Sequence, residues 1–285
     1  MNNPWRIFIY RKTIRFYLCF YTVIISLKKQ EEWEMAFFKY GDKAVYYEEI
    51  GTGLPVVFLH GDTASSKMFG YIIPFYTDSF RVILVDFLGN GQSDRIGEFP
   101  PDLWYSQAQQ VIAFLEYLDC GKVSLIGTSG GAWVAVNAAL ERPDLVHRVV
   151  ADSFDGRTLP DDFSENLRKE RAASKNNDFS RKFYEWCQGE DWETVVDLNT
   201  RALVECADSK LPLFHKPLGM LEVPILFVGS MEDTMCRRNL EEEYKQMEQL
   251  VPNGKTYMFP TGNHPAMLTN AERFADIVKD FLVSE

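Results

Sequence analysis

Lys122-Val123-Ser124-Leu125-Ile126-Gly127-Thr128-Ser129-Gly130-Gly131-Ala132-Trp133-Val134-Ala135-Val136-Asn137-Ala138-Ala139-Leu140 reads as a buried strand, a tight turn and a helix. Its middle, Gly127 to Gly131, fits G-x-S-x-G. A serine at such a strand-to-helix turn is lifted out of the sheet and exposed at its top. Small flanking residues are needed because the turn is strained and side chains would clash there. The helix start behind Ser129 points backbone N–H groups at any oxyanion formed beside it. The plainer reading is a bland turn with a small residue; the strand before it and the helix after it favour a nucleophile.

Working outward, apolar strands alternate with helical stretches. Ala44 to Ile50, Pro55 to Leu59, Arg81 to Val85, Val123 to Ile126, Arg148 to Ala151, Pro224 to Val228 and Lys255 to Phe259 read as strands. Trp104 to Leu118, Leu240 to Leu250 and Ala271 to Leu282 carry apolar residues at helical spacing. This order predicts an α/β fold, a mostly parallel sheet covered by helices on both faces. Asp155 to Leu221 breaks the alternation. It is polar, helical in flavour and rich in aromatics, among them Phe183, Tyr184, Trp186 and Trp192. It is expected to be a helical lid (155–221) that shapes the pocket, inserted between a first core part (35–154) and a second (222–285).

The chain has 285 residues, a formal charge of -11 and 46% hydrophobic residues. The charge argues against a nucleic-acid partner and for a soluble protein that repels anionic surfaces. Five scattered cysteines show no metal-ligand spacing and no disulfide framework, as expected of a reducing, cytoplasmic compartment. No metal or cofactor is expected, and the partner is a small molecule. Residues 1–34 do not match the rest. Basic residues flank an apolar run from Phe16 to Leu27, shorter than the roughly 20 residues of a comfortable membrane span. Three readings stand open: an upstream extension outside the working protein, with Met35 as the true start; a weak membrane anchor; or an ordered extra element.

A serine hydroxyl needs an imidazole to take its proton and a carboxylate to hold that imidazole. In this architecture the chain order is serine, acid, histidine. After the strand ending at Val228 come Glu232 and Asp233. Asp233 is preferred because a shorter side chain suits a tight loop; a loop one residue shorter would favour Glu232. After the strand ending at Phe259 comes Gly262-Asn263-His264-Pro265, which makes His264 the base. Of the other histidines, His147 reads as surface or structural and His215 as lid packing. His60, in Leu59-His60-Gly61-Asp62, is expected to shape the turn presenting a second oxyanion donor. The two donors are the backbone N–H groups of Asp62 and Gly130, each worth roughly 3 kcal/mol of transition-state stabilisation.

Four pieces together resemble the α/β-hydrolase superfamily from about Met35 onward: His60-Gly61, Asp86 to Asp94, the Gly127 to Gly131 turn, and Gly262-Asn263-His264. The second piece is similar to the D-x-x-G-x-G-x-S loop of that superfamily and is structural. Within it the chain resembles small lidded hydrolases that include valacyclovir hydrolase and the carbon–carbon bond hydrolases. The former type carries an acidic residue after the nucleophile, where this chain has Gly130; Asp62 or Asp94 would have to substitute. The resemblance implies a serine hydrolase acting on a small ester, thioester or amide. The same triad could instead cleave a carbon–carbon bond in a dienoic acid or make a peracid, and a low-turnover ligand-binding protein on this fold is the alternative of another class. A pocket cation would favour an acid substrate. Arg168, Lys169, Arg171, Lys182 and Arg201 are the lid candidates, though a solvated helix face is the expected place for all five.

Overall fold

The computed structural model describes residues 33–284. Among them, eight strands form one sheet: β1 (Glu34–Tyr40), β2 (Lys43–Ile50), β3 (Leu54–Leu59), β4 (Phe80–Val85), β5 (Val123–Thr128), β6 (Val146–Asp152), β7 (Ile225–Ser230) and β8 (Gly254–Phe259). Their spatial order is β1-β2-β4-β3-β5-β6-β7-β8. The pairs from β4 to β8 are parallel, and β2 is antiparallel to both β1 and β4. The sheet is therefore mostly parallel, with an antiparallel pair at one edge.

The pattern of β3 shows how the layers arise. Successive strand side chains point to opposite faces. Val57 and Leu59 pack in one apolar cluster with helices α1 (Leu103–Leu118) and α2 (Gly130–Glu141). Val56 and Phe58 pack in the other, with Phe69, Ile72 and the closing helix, Ala271–Val283. Both faces being covered, every residue of β5 is buried. Helix α2 runs through the centre, and Gly130 to Leu140 are all buried. That is why it is apolar all round rather than amphipathic.

Register places the site. Leu59 pairs with Val85 and Gly127, Thr128 with Asp152, and Asp152 with Val228. The C-terminal ends of β3, β5, β6 and β7 therefore share one edge, and the loops leaving them meet there.

Between β6 and β7 lie α3 (Phe163–Lys175), α4 (Asp178–Gln188) and α5 (Trp192–Asp208). They have a small apolar cluster of their own, Tyr184, Trp192 and Val196. Polar bonds seat α4 on the core: Lys67 Nζ donates to the Trp186 carbonyl at 2.7 Å, and Gly91 N–H donates to Gln188 Oε1 at 2.8 Å. Beyond them the chain continues through α6 (Leu240–Leu250), α7 (Ala266–Thr269) and α8 (Ala271–Val283).

Three expectations change. Strand β1 was not foreseen, because Met35 and Phe37 face outward and the run alternates weakly. Arg171 is buried, against the expected solvated face, whereas Arg168 and Lys169 are exposed. Trp192 stacks on Tyr184, with ring centroids 5.8 Å apart, inside the insertion's own core rather than standing free as a pocket wall. The reading of the leader lies outside the described residues apart from its last two positions. No described helix is long and apolar enough to cross a membrane.

Candidate active site

The turn after β5 is as tight as its glycines suggest. A Cβ on Gly127 would stand 2.0 Å from the Gly131 carbonyl oxygen, and one on Gly131 would stand 2.2 Å from that of Leu59. Ser129 has φ 54° and ψ -124°. A non-glycine residue in such a conformation costs about 1–3 kcal/mol and persists where its surroundings hold it. Here Ser129 N–H donates to the Asp152 carbonyl at 2.8 Å, and the Ser129 carbonyl accepts Ala132 N–H at 2.9 Å.

The loop after β3 lies against that serine. A Cβ on Gly61 would come 3.0 Å from Ser129 Cβ. His60, 1% exposed, accepts the Phe87 N–H on Nε2 at 3.1 Å, so its Nδ1–H donates to the Gly61 carbonyl at 2.8 Å. Burial lowers its pKa, so it stays neutral and structural. The Asp62 N–H has no acceptor among the described residues. Gly130 opens α2, where the first N–H groups of a helix lack intrahelical partners. The N–H groups of Asp62 and Gly130 thus both lack an acceptor among the described residues.

The loops after β7 and β8 bring Asp233 and His264 together. Asp233 Oδ2 lies 2.9 Å from His264 Nδ1, and the carboxylate is fully buried. Asp233 Oδ1 accepts the N–H groups of Met235 and Cys236 at 2.8 and 3.1 Å. Burial works to raise the Asp233 carboxyl, but the imidazole and the two N–H groups bring it below its usual value. Burial works to lower His264, yet Asp233 outweighs it and raises the imidazole above its ordinary value. Glu232 turns elsewhere, accepting the Gly262 N–H at 3.2 Å. Asn263 Oδ1 ties the two loops, accepting from Thr234 N–H and His264 N–H at 3.2 and 2.8 Å. No hydrogen bond joins Ser129 Oγ to His264 among the described residues. Cys236 Sγ lies 3.8 Å from His264 Nδ1. Among the described residues Asp233, Cys236 and His264 are the one trio with metal-ligand proximity, and the acid and imidazole of that trio already bond each other.

Above the serine is a polar cluster. Asp62 accepts from Trp104 Nε1 at 3.2 Å and from Asn199 Nδ2 at 3.1 Å. Arg171 Nη1 donates to Thr63 Oγ1 at 3.1 Å and Tyr184 OH at 3.0 Å. Asn199 Oδ1 and Arg171 Nε are buried without hydrogen bonds. Burial raises the Asp62 carboxyl, against Asn199, Arg171 and Trp104. Sequence reasoning missed Trp104 and Asn199, which look like ordinary helix positions. The other candidates lie apart: Asp94 is exposed and accepts the Ala44 N–H at 2.8 Å, and His215 stacks on Tyr105 with centroids 3.4 Å apart. His147 is exposed on β6.

The model of the alpha/beta hydrolase family matches residues 56–277. The chain belongs to that family. It is an α/β-hydrolase enzyme with the family's fold. One relative is 2-hydroxy-6-oxo-6-(2'-aminophenyl)hexa-2,4-dienoic acid hydrolase of Metapseudomonas resinovorans, 26% identical over 90% of this chain and 94% of its own length. Another is pyrrolizixenacetamide deacetylase of Xenorhabdus hominickii, 25% identical over 87% and 97%. Among solved structures, the serine hydrolase of carbazole degradation (CarC enzyme) superposes with TM-score 0.70 at 23% identity, over 88% of this chain and 99% of that one.

Proposed function

We propose that this α/β-hydrolase cleaves a small carboxylic ester, thioester or amide through an acyl-enzyme, with Ser129, His264 and Asp233 as its triad. The observation that carries the reading is the Asp233–His264 pair at 2.9 Å, its carboxylate buried and its imidazole partly so, on loops that open beside the strained Ser129 turn. Asp233 holds the Nδ1–H tautomer, which leaves Nε2 as the base. As Ser129 Oγ attacks the carbonyl carbon, Nε2 takes its proton. The N–H groups of Asp62 and Gly130 hold the oxyanion. The imidazolium then gives the proton to the leaving group. Water, activated by the same nitrogen, releases the acid and restores the serine. The Ser–His contact is not formed in this structure; such contacts commonly tighten in the Michaelis complex.

Residues 155–221 act as the lid, and Arg171 and Asn199 make its polar underside. A second reading, cleavage of a carbon–carbon bond in a dienoic acid, is favoured by one observation: Arg171 is a buried cation beside the oxyanion loop, where an acid substrate could bind. The M. resinovorans relative is named for such a substrate. The protein is read as cytoplasmic.

Labelling by a fluorophosphonate probe, mapped by peptide mass, tests the nucleophile. A screen of p-nitrophenyl esters, anilides and a dienoic acid then separates the two chemistries. Modification at Ser129 with ester or anilide turnover is expected. Turnover of the dienoic acid alone would favour the second reading, and no modification of Ser129 would overturn both.

A further inference from the structure

One buried acid beside the site has no part in the steps above. Asp152 ends β6 and is 0% exposed. Its Oδ2 accepts the Thr128 hydroxyl at 2.9 Å and the Met267 N–H at 3.3 Å. Its Oδ1 accepts the Ser153 hydroxyl at 3.0 Å, and Ser153 Oγ in turn accepts the Ala266 N–H at 2.8 Å. Its carbonyl accepts the Ser129 N–H at 2.8 Å. Thr128 immediately precedes the nucleophile, and Ala266 and Met267 follow His264-Pro265. One residue thus joins the serine's turn to the histidine's loop.

We propose that Asp152 is a positioning residue of the active site: it locks the nucleophile strand to the base loop and places a negative charge that supports the His264 imidazolium. The inference rests on the triad reading. Burying a carboxylate is expensive unless it is paired. Asp152 forms no salt bridge among the described residues, and an apolar or amide side chain there would avoid the cost. Its neighbours show what the charge is for. The groups acting on His264 are Asp233, Asp152 and Asp155, with the Cys236 thiol beside the ring. Asp233 is bonded to the ring. Asp155 is held by Arg237, whose N–H donates to it at 2.6 Å and whose guanidinium lies 4.0 Å away. Among the described residues, His264 is the one basic group set against the Asp152 charge. The remaining titratable groups under its influence are the buried hydroxyls of Tyr76 and Tyr244 and the Cys236 thiol, all neutral. Burial raises the Asp152 carboxyl to about 7, against the bonds from Thr128, Met267 and Ser153 and the charge of His264. It therefore gains its charge as the pH rises through about 7.

The test is an NMR titration of the His264 imidazole in the full chain. Ser129→Ala serves as the background, and a His264→Gln protein assigns the signal. Adding Asp152→Asn should lower the His264 pKa by about half a pH unit or more, since a nearby anion favours the charged ring. In the active protein, Asp152→Asn should reduce kcat about tenfold with KM within a factor of about two, and the acid limb of kcat/KM should move to lower pH. Thr128→Val, which deletes one bond and leaves the carboxylate, should move the His264 pKa the same way by less, because Asp152 then keeps its proton to higher pH. It carries the test if Asp152→Asn does not fold. An unmoved His264 pKa in whichever folded variant is measured would reduce Asp152 to packing and overturn the proposal. The titration needs no turnover, so a failure of the triad reading, seen as activity surviving in Ser129→Ala, is told apart from a failure of this one.

Discussion

The Asp62 carboxylate occupies the space a side chain on Gly130 would need. A Cβ there would lie 2.5 Å from Asp62 Oδ2 and 2.8 Å from Trp104 Nε1. The glycine after Ser129 is thus required by an acid reaching over from the loop after β3. Gly130→Ala should push Asp62 and its N–H off the oxyanion and lower kcat/KM for an activated ester about tenfold or more. Asp62→Ala introduced into Gly130→Ala should relieve the clash, so the two changes should couple in a double-mutant cycle. Purely additive effects would show that the two residues do not compete for that space.

Asp233→Asn should cost about four orders of magnitude in kcat, the loss seen when a triad amide supports the wrong imidazole tautomer. Glu232→Gln should stay within a factor of about two, because that carboxylate only accepts the exposed Gly262 N–H. Steady-state kinetics on p-nitrophenyl acetate rank the two. The reverse order would move the acid by one residue.

Activity should fall on the acid side as His264 takes a proton. Asp233 raises the imidazole above its ordinary value of 6.5. A raised base stays protonated, and idle, to higher pH, so the midpoint of the acid limb of kcat/KM should lie above 6.5. A limb centred below that value would mean that burial, not Asp233, dominates the ring.

The three inserted helices should control selectivity. Trp192 is 7% exposed and stacks on Tyr184, which also accepts the Arg171 guanidinium. Trp192→Ala should remove about 3–5 kcal/mol of packing from that cluster. The loss should loosen Arg171 above the oxyanion loop and change the ranking of esters by acyl size more than it changes turnover of an acetyl ester. Trp186→Ala should act less through packing, its carbonyl being the group that anchors Lys67. Uniform scaling of every ester in both folded variants would remove the lid from specificity.

How much of this was legible follows from local pattern. Fully apolar strands such as Val56 to Leu59, and glycines such as Gly127, where a Cβ would stand 2.0 Å from the Gly131 carbonyl oxygen, leave a one-dimensional signature. The candidate positions Ser129, Glu232 or Asp233, and His264 follow from it by chain order, whereas only the folded loops show that Asp233 is the carboxylate bonded to His264. Strand β1 does not, because an edge strand with Phe37 57% exposed lacks the inward run that marks a buried one. Arg171 sits among Arg168, Lys169 and Glu170, and only the docking of α3 on Thr63 decides which of these charges is buried. Asp152 carries no such signature. Two of its three side-chain bonds come from residues 24 and 115 positions away, which no short window along the chain can reveal.

The central claim is that Ser129 is the nucleophile. The most direct measurement is kcat/KM of Ser129→Ala on p-nitrophenyl acetate, with the fold checked by circular dichroism and thermal melting. The hydroxyl holds no core together, so the fold should be kept while activity falls at least about a thousandfold, as triad serines do when removed. Activity within tenfold of the parent in a folded Ser129→Ala protein would contradict the account.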